Sequence, residues 1–243
     1  MEVHHHSHTS RKKWTHYIWE FLMLFLAVFC GFLAENQREH MIEHRREKQF
    51  MSSLLSDLIA DTTEIRASAK KATQTLLYQD SVFLYLDNYK QTDYVSAHFI
   101  DSLSLLALRR LAVVFNDVTA MQLKNAGNWR LIRKENVSRK IALYWNEQEN
   151  VRISLGRYLI YRDRGRELEE KLFAFYEFDV AGARHLEVPS KIRIIQTTPV
   201  LWAEYLNVIS HSHVTAEQYL MKLNNQLEMA MELIGLLKKE YHL

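Results

Sequence analysis

Residues 21–34 read FLMLFLAVFCGFLA, an uninterrupted run without a polar side chain. Extending the run back to Tyr17 gives about eighteen residues with Glu20 as the only charge, close to the 20 that a helix needs to cross a bilayer. Aromatic residues at the membrane interface, here Trp14 and Tyr17, shorten that requirement. We therefore predict a membrane-spanning helix over residues 14–34, with the lipid bilayer as its first partner.

The same residues allow two alternatives to a retained membrane anchor. Cleavage of a signal peptide after Ala34 would put Phe32 where a small residue is required. Phe29, directly before Cys30, also fits poorly with a lipoprotein-type cysteine site. A buried helix of a soluble domain is the other alternative, and the retained anchor is favoured over both.

The orientation of the span follows from the basic residues that flank it. These are Arg11, Lys12 and Lys13 on one side, and Arg38, Arg45, Arg46 and Lys48 on the other. The counts are nearly balanced, but the first group lies closest to the apolar run and its tail is short. We expect a single-pass protein of the bacterial inner membrane, with the N-terminus cytoplasmic and the following domain periplasmic.

Composition predicts an all-α fold for the remainder of the chain. The 243 residues include only 6 glycines and 2 prolines, against averages of about 17 and 12 for this length. Few residues that break helices means few tight turns. The predicted organisation is a His-rich basic tail (1–13), the transmembrane helix (14–34), a charged helical stalk (35–49) and a helical bundle domain (50–243).

The two ends of the predicted bundle carry the clearest apolar stripes. One begins at Met51 and continues to Ile65 at helical spacing. The other recurs every seven residues as Leu220, Leu227, Ile234 and Tyr241, with Leu223, Ala230 and Leu237 between. Heptads of this kind predict coiled-coil-like packing. We expect the two stripes to pack antiparallel within one chain, although a homo-oligomeric coiled coil would use the same residues.

The middle of the chain is less regular. Phe99, Leu103, Leu106 and Arg110 recur at helical spacing, which predicts a helix. Gly127 is suited to positive φ after a short helix over residues 115–126. Pro199 is a natural first-turn residue for a helix through Ile209, and a turn is then expected around His211 and His213. The mixed charges of residues 162–170 predict a solvated helix face.

Two groups of motifs carry a resemblance to a known family. The first comprises HHH at residues 4–6, KKW at 12–14 and FLMLFLAVFCGFLAENQREH at 21–40; the second comprises LKNAGNWRLI at 123–132 and ALYWN at 142–146. Together they resemble an uncharacterised family of single-span membrane proteins from Bacteroidota, a domain of unknown function. The resemblance implies a membrane anchor and a helical body, and it implies no activity, cofactor or catalytic residue.

The N-terminal histidines are the first candidate site. Imidazole nitrogens bind Zn²⁺, Ni²⁺ and Cu²⁺, and the tail carries His4, His5, His6 and His8. Flexible histidine clusters bind such metals in almost any protein. We therefore expect adventitious metal binding here and no dedicated cofactor. A purification tag and contact with anionic headgroups are the alternatives. His40 and His44 share a helix face, but stalk histidines in water are the simpler interpretation.

Glu20 is the second candidate. A carboxylate at the edge of a membrane helix is costly unless it reaches headgroups, becomes protonated or meets a partner. It either extends towards the interface beside Lys13 or His16, or faces another membrane helix. Ala27 and Gly31 form only a weak helix-packing motif.

No catalytic motif is present, and we expect no enzyme activity. The chain lacks H-E-x-x-H, a phosphate-binding glycine loop and CxxC. Its net charge of +2 and interleaved acids do not indicate nucleic-acid binding, and no small-molecule substrate is identified.

The leading functional prediction is a membrane-anchored helical scaffold or partner-binding subunit of a membrane complex, acting with a membrane protein partner or as a homo-oligomer. One alternative is a ligand sensor domain that signals through a partner. The other is metal binding by the histidine tail.

Overall fold

The computed structural model describes residues 14–87, 94–96, 99, 105–125, 127–176, 190–196 and 198–243. The chain divides into two compact units, Met1–Gln49 and Phe50–Leu243. Helix α1, Trp14–Asp87, contributes residues to both units. The predicted His-rich tail, residues 1–13, lies outside the described residues.

In the first unit, the described residues from 14 to 42 all have exposed side chains. Within them lies an 18-residue window of mean hydropathy 2.1, of which no part is buried in the protein. By length and composition, α1 is thus the one helix in the described part of the chain that is apolar enough to cross a membrane. Its large apolar side chains, from Trp14 to Leu33, are all exposed.

The second unit is built from helices, which confirms the predicted all-α class. After α1 come β1 (Tyr94–Ser96), α2 (Leu105–Ala107), α3 (Val118–Asn125), a 3₁₀ helix (Asn128–Leu131), α4 (Glu135–Leu172), β2 (Lys191–Arg193) and α5 (Pro199–Tyr241). The two short strands pair antiparallel, with Val95 opposite Ile192. Pro199 lies in the first turn of α5, as predicted.

Three long helices form the core: α1 from Phe50 onward, α4 and α5. Helices α4 and α5 run antiparallel, because Lys134 pairs with Glu240 near one end and Arg164 pairs with Glu204 towards the other. Helix α1 also runs antiparallel to α5, as predicted. Met51 lies in the same buried cluster as Tyr241, whereas the Gln79 amide donates to the Ser212 hydroxyl.

The buried seam of α5 is rotated by one residue from part of the predicted stripe. Leu223, Ala230 and Leu237 are buried, as the heptads predict. Their buried partners along the seam are Tyr219, Gln226 and Leu233, whereas the predicted Leu220, Leu227 and Ile234 are half-buried at its flank. A polar Gln226 on the seam hides the true register from a hydrophobic pattern. Because this seam is buried inside one chain, it is not available to a homo-oligomeric coiled coil.

The turn predicted around His211 and His213 is wrong, because α5 runs unbroken from Pro199 to Tyr241. His213 contacts Asp80 at 3.1 Å, and His211 stacks on Tyr161 with ring centroids 5.1 Å apart. Polar residues in this stretch contact the neighbouring helices instead of marking a turn.

The predicted helix around Leu106 and Arg110 is also wrong over most of its described part. Beyond the single turn of α2, residues 108–117 have no regular secondary structure. We call residues 105–119 the strap. The strap runs along α1 in the opposite direction, because the Ala107 carbonyl accepts from Gln79 and the Asn116 amide donates to Asp61.

The strap is held by side chains rather than by a helix or sheet ladder. Its carbonyls accept hydrogen bonds from side chains of α1 and α4: Leu105 from Arg166, Ala107 from Gln79, Leu108 from Arg162, Arg109 from Tyr158, and Ala112 from Ser68. A buried backbone group without a partner costs about as much as a lost hydrogen bond. The polar residues of α1 and α4 therefore make an extended segment tolerable inside a helical bundle.

Candidate functional site

Asp61 is a buried carboxylate that connects several parts of the bundle. It is buried, and it accepts hydrogen bonds from the Asn116 amide at 2.8 Å, the Tyr144 hydroxyl at 2.7 Å and the Gln148 amide at 3.3 Å. Burial raises the pKa of Asp61 above its ordinary value, although the hydrogen bonds from Asn116 and Tyr144 oppose that change. Its partners join α1, α4 and the strap, so Asp61 acts as a structural bridge.

Glu169 corrects the prediction that residues 162–170 form a solvated face. It is fully buried; it accepts from the Tyr205 hydroxyl at 2.9 Å and from the Arg166 guanidinium at 3.1 Å. Burial, followed by the charge of Glu169, raises the pKa of Tyr205 well above its ordinary value. A dense charge run on one helix therefore contains a core residue, because α5 covers that side of α4.

Glu147 joins α4 to α5. It accepts from Asn150 at 2.8 Å, Asn225 at 2.9 Å and Lys222 at 3.1 Å. Burial alone would raise the pKa of Glu147, but these hydrogen bonds outweigh it and hold the pKa below its ordinary value. Asp61, Glu147 and Glu169 are thus each engaged by donors of their own chain. They stabilise the bundle by joining its helices, and the candidate site lies in another part of it.

A cleft of about 650 Å³ opens between α3 with the 3₁₀ helix on one side and residues 142–152 of α4 on the other. Small and aromatic side chains form its floor: Ala120, Trp129, Ala142 and Trp145. We call it the aromatic cleft. Binding sites are typically concave and mostly apolar, with a few placed polar groups, and the aromatic cleft has this composition.

The two tryptophans lie against each other in the floor. The ring centroids of Trp129 and Trp145 are 5.5 Å apart and their planes are inclined by 51°. The ammonium of Lys124 lies 4.5 Å from the centre of the Trp145 ring, a cation–π contact. Trp145 is itself largely buried, so its contacts fix the shape of the floor before anything binds.

Charged side chains form the rim. Arg152 pairs with Asp117 at 2.6 Å and lies 3.6 Å from Glu149. Lys124 stands on the same rim; it lies over Trp145 and forms no ion pair or hydrogen bond with a described residue. At one end of the rim, Arg152 and two carboxylates neutralise each other. At the other end, the Lys124 ammonium lies over an aromatic ring.

The wall formed by α3 is held in place from α1. The Thr119 amide at the start of α3 donates to Asp57 at 3.2 Å, and the preceding Asn116 amide donates to Asp61. A carboxylate is favourable at a helix N-terminus because the first amides have no partner inside the helix. Gly127 then turns the chain towards Trp129 with φ of 62°, as predicted for this glycine.

The residues that line the aromatic cleft are not among the site residues predicted from the sequence. His4, His5, His6 and His8 lie outside the described residues. Glu20 is exposed on α1 and makes no ion pair or hydrogen bond with any residue that the structure describes. His44 lies 3.7 Å from Glu47. Within the described ranges, no group of three or more His, Cys, Asp or Glu is placed to hold a metal ion.

The chain matches no protein-family model, and comparisons with curated proteins and with solved structures found no match. The structure adds one connection within the sequence. The motifs at residues 123–132 and 142–146 both contribute to the aromatic cleft, through Lys124 and Trp129 from the first and Trp145 from the second. The pairing of two tryptophan-bearing motifs was the signal that could have located the site.

Proposed function

We propose that this protein is a membrane-anchored, non-catalytic helical subunit that binds a partner protein through the aromatic cleft. The observation that supports it most is the make-up of the cleft. It joins a preformed floor of Trp129 and Trp145 to a rim of charged side chains. Interfaces between proteins commonly have this anatomy, in which buried aromatic residues supply most of the binding energy and a polar rim surrounds them.

The membrane anchor in this proposal is the apolar part of α1. An apolar helical segment with no part buried among the described residues gains most by entering lipid. We further propose a bacterial inner-membrane location with the N-terminus cytoplasmic and the bundle periplasmic. Glu20 then lies near the cytoplasmic interface, where headgroups or a partner helix stabilise its carboxylate.

Site-specific photo-crosslinking in native membranes tests partner binding. Met121 lines the aromatic cleft and is 53% exposed, whereas Met231 on α5 is 54% exposed and lies outside it. A photoreactive amino acid at position 121 of the full-length protein should give a discrete adduct with another protein. The same amino acid at position 231 is the matched control and should give none.

If position 121 yields only uncrosslinked monomer in native membranes, the proposed function is wrong. Equal adducts at both positions would also count against the cleft, because they would indicate contact governed by exposure alone.

A ligand sensor is the second candidate function, and the size of the cleft favours it. Small-molecule pockets generally fall between about 300 and 1,000 Å³, and the aromatic cleft lies within that range. A small molecule that raises the unfolding temperature of the wild-type protein but not of Trp129→Ala would support it.

A further inference from the structure

A basic stretch of sequence lies within the region that builds the aromatic cleft, although the lining itself carries two cations, Lys124 and Arg152, and two carboxylates, Asp117 and Glu149. Residues 121–146 contain six basic residues and one acidic residue, although the full chain has a net charge of only +2. They include the wall, the 3₁₀ helix and the first part of α4. Such a local excess attracts an oppositely charged partner and speeds its association.

Not all of these cations are available to a partner. Lys134 and Lys140 already form ion pairs with Glu240 and Glu232 of α5, at 2.8 and 2.6 Å. These two lysines therefore contribute little net charge to the surroundings. They belong to the contact between α4 and α5 and not to the cleft.

Three other cations have no carboxylate at ion-pair distance among the described residues: Lys124, Arg130 and Arg139. Lys124 stands on the rim of the cleft, and Arg130 directly follows the floor residue Trp129. Arg139 lies three residues before the floor residue Ala142, a spacing that makes them neighbours on a helix surface. Of the three, Lys124 lines the cleft, whereas Arg130 and Arg139 lie next to lining residues along the chain.

The acidic residues on the rim do not cancel this charge. Asp117 and Glu149 both face Arg152, which lies within ion-pair distance of each. Arg152 also covers the ring of Phe115 with its guanidinium 5.3 Å from the ring centre. The cleft is therefore polarised, with its acids engaged by Arg152 at one end and Lys124 over Trp145 at the other.

We infer that the partner presents an aromatic side chain next to one or more carboxylates, in an acidic segment of a protein. This inference rests on the proposed function and specifies its partner. The aromatic ring packs against Trp129 and Trp145, whose inclined planes suit edge-to-face contact. The neighbouring carboxylate pairs with Lys124, and further acids along the segment meet Arg130 and Arg139.

The photo-crosslinking experiment at position 121 can be repeated with charge variants of the full-length protein. Lys124→Gln removes an unpaired cation of the cleft, whereas Lys140→Gln removes a cation already paired with Glu232. Lys124→Gln should lower the adduct yield about threefold, and the triple change Lys124→Gln, Arg130→Gln and Arg139→Gln about tenfold. Lys140→Gln should leave the yield unchanged. Circular dichroism verifies that each variant is folded.

Mass spectrometry of the adduct identifies the crosslinked partner segment. The expected segment carries Phe, Tyr or Trp with Asp or Glu within a few residues, and its crosslinking weakens as salt is added. An adduct that is insensitive to the triple change, or a mapped segment without carboxylates, would overturn the inference and leave the proposed function standing. An adduct between two copies of this chain would assign the cleft to self-association and also overturn it. If the protein with its natural charges gives no adduct at position 121, both this inference and the proposed function are wrong.

Discussion

The two portions of α1 show how the same helix can serve two different surroundings. Over residues 14–34 the apolar side chains cover the whole circumference and all are exposed. Over residues 50–87 a buried position recurs every three or four residues, starting with Met51, Leu54 and Leu58, and most polar residues lie between these positions. A helix that is apolar on all sides is suited to lipid or to a protein core, whereas an amphipathic one needs protein on one side only.

The difference extends to the carboxylates of the two regions. Glu20 has no donor among the described residues, whereas Glu169 is enclosed and accepts from Tyr205 and Arg166. In the bundle, the protein itself replaces water as the hydrogen-bonding solvent for its buried charges. In the apolar portion, the proposed membrane location assigns that role to headgroups or a partner helix.

The largest effect is expected from a charged substitution in the apolar portion of α1. Leu24 and Ile160 are similarly exposed, at 69% and 66%, but Leu24 lies in the apolar portion of α1 and Ile160 on the bundle. Leu24→Arg should cost about 3 kcal/mol of insertion free energy, because arginine is among the least favourable residues at a bilayer centre. The measurement is the fraction of protein that resists alkaline extraction from membranes. Ile160→Arg should stay fully membrane-bound, and equal behaviour of both variants would contradict the membrane assignment.

The second prediction sharpens the contrast between a buried and an exposed carboxylate on one helix. Glu169→Ala should destabilise the bundle by about 3 kcal/mol, because the Tyr205 hydroxyl and the Arg166 guanidinium lose their acceptor. Glu170→Ala, at the exposed neighbouring position, should change stability by less than about 0.5 kcal/mol. Urea unfolding followed by circular dichroism measures both. A similar small loss in the two variants would mean that Glu169 is not a core residue.

The third prediction concerns pH. Burial raises the pKa of Asp61 above the value of about 3.9 in the unfolded chain. The stability linked to its protonation is therefore fully present below that pH and is lost as pH rises through the folded pKa. Asp61→Asn should lower the free energy of unfolding by about 2 kcal/mol at low pH. The NH₂ group of the new asparagine would face the Gln148 amide and the Tyr144 hydroxyl, which both donate to Asp61 in the wild type.

The difference in unfolding free energy between the wild type and Asp61→Asn should then shrink as pH increases. Unfolding midpoints measured across pH 3.5–7, in steps of about 0.5 unit, test this. A constant difference between the two proteins would show that Asp61 is not the titrating group.

The smallest effects compare two glycines within α4. A Cβ at Gly165 would lie 2.8 Å from Cδ1 of Leu108, whereas a Cβ at Gly156 meets nothing within 4 Å. Gly156→Ala should stabilise the bundle by about 0.7 kcal/mol through helix propensity. Gly165→Ala should destabilise it by about 1 kcal/mol, because Leu108 of the strap is fully buried and must shift. Thermal unfolding measures both, and stabilisation by both changes would show that the strap is loosely packed.

Local patterns were sufficient for some features of this chain. The apolar run predicts the candidate membrane span, and the scarcity of glycine and proline predicts the all-α class. Gly127 and Pro199 are recognisable because their backbone chemistry is particular to turns and first helical turns. Each of these features depends on residues that lie close together in the sequence.

The strap and the buried carboxylates were not predictable in this way. Leu106 and Arg110 fit a helical spacing, yet the strap is extended because donors from Gln79 and Tyr158, far away in the sequence, satisfy its carbonyls. Glu169 has the charge of a surface residue, and only the approach of Tyr205 makes its burial favourable. The aromatic cleft likewise needs α3, the 3₁₀ helix and α4 together.

The sequence alone determined the all-α class and which segment is apolar enough for a membrane, because both depend on local composition. Only the tertiary structure decided the register of the α5 seam, the path of the strap and the meeting of Trp129 with Trp145. The physical reason is that burial and hydrogen bonding of a polar group depend on partners brought in by the fold. Those partners lie tens of residues away, beyond any local pattern.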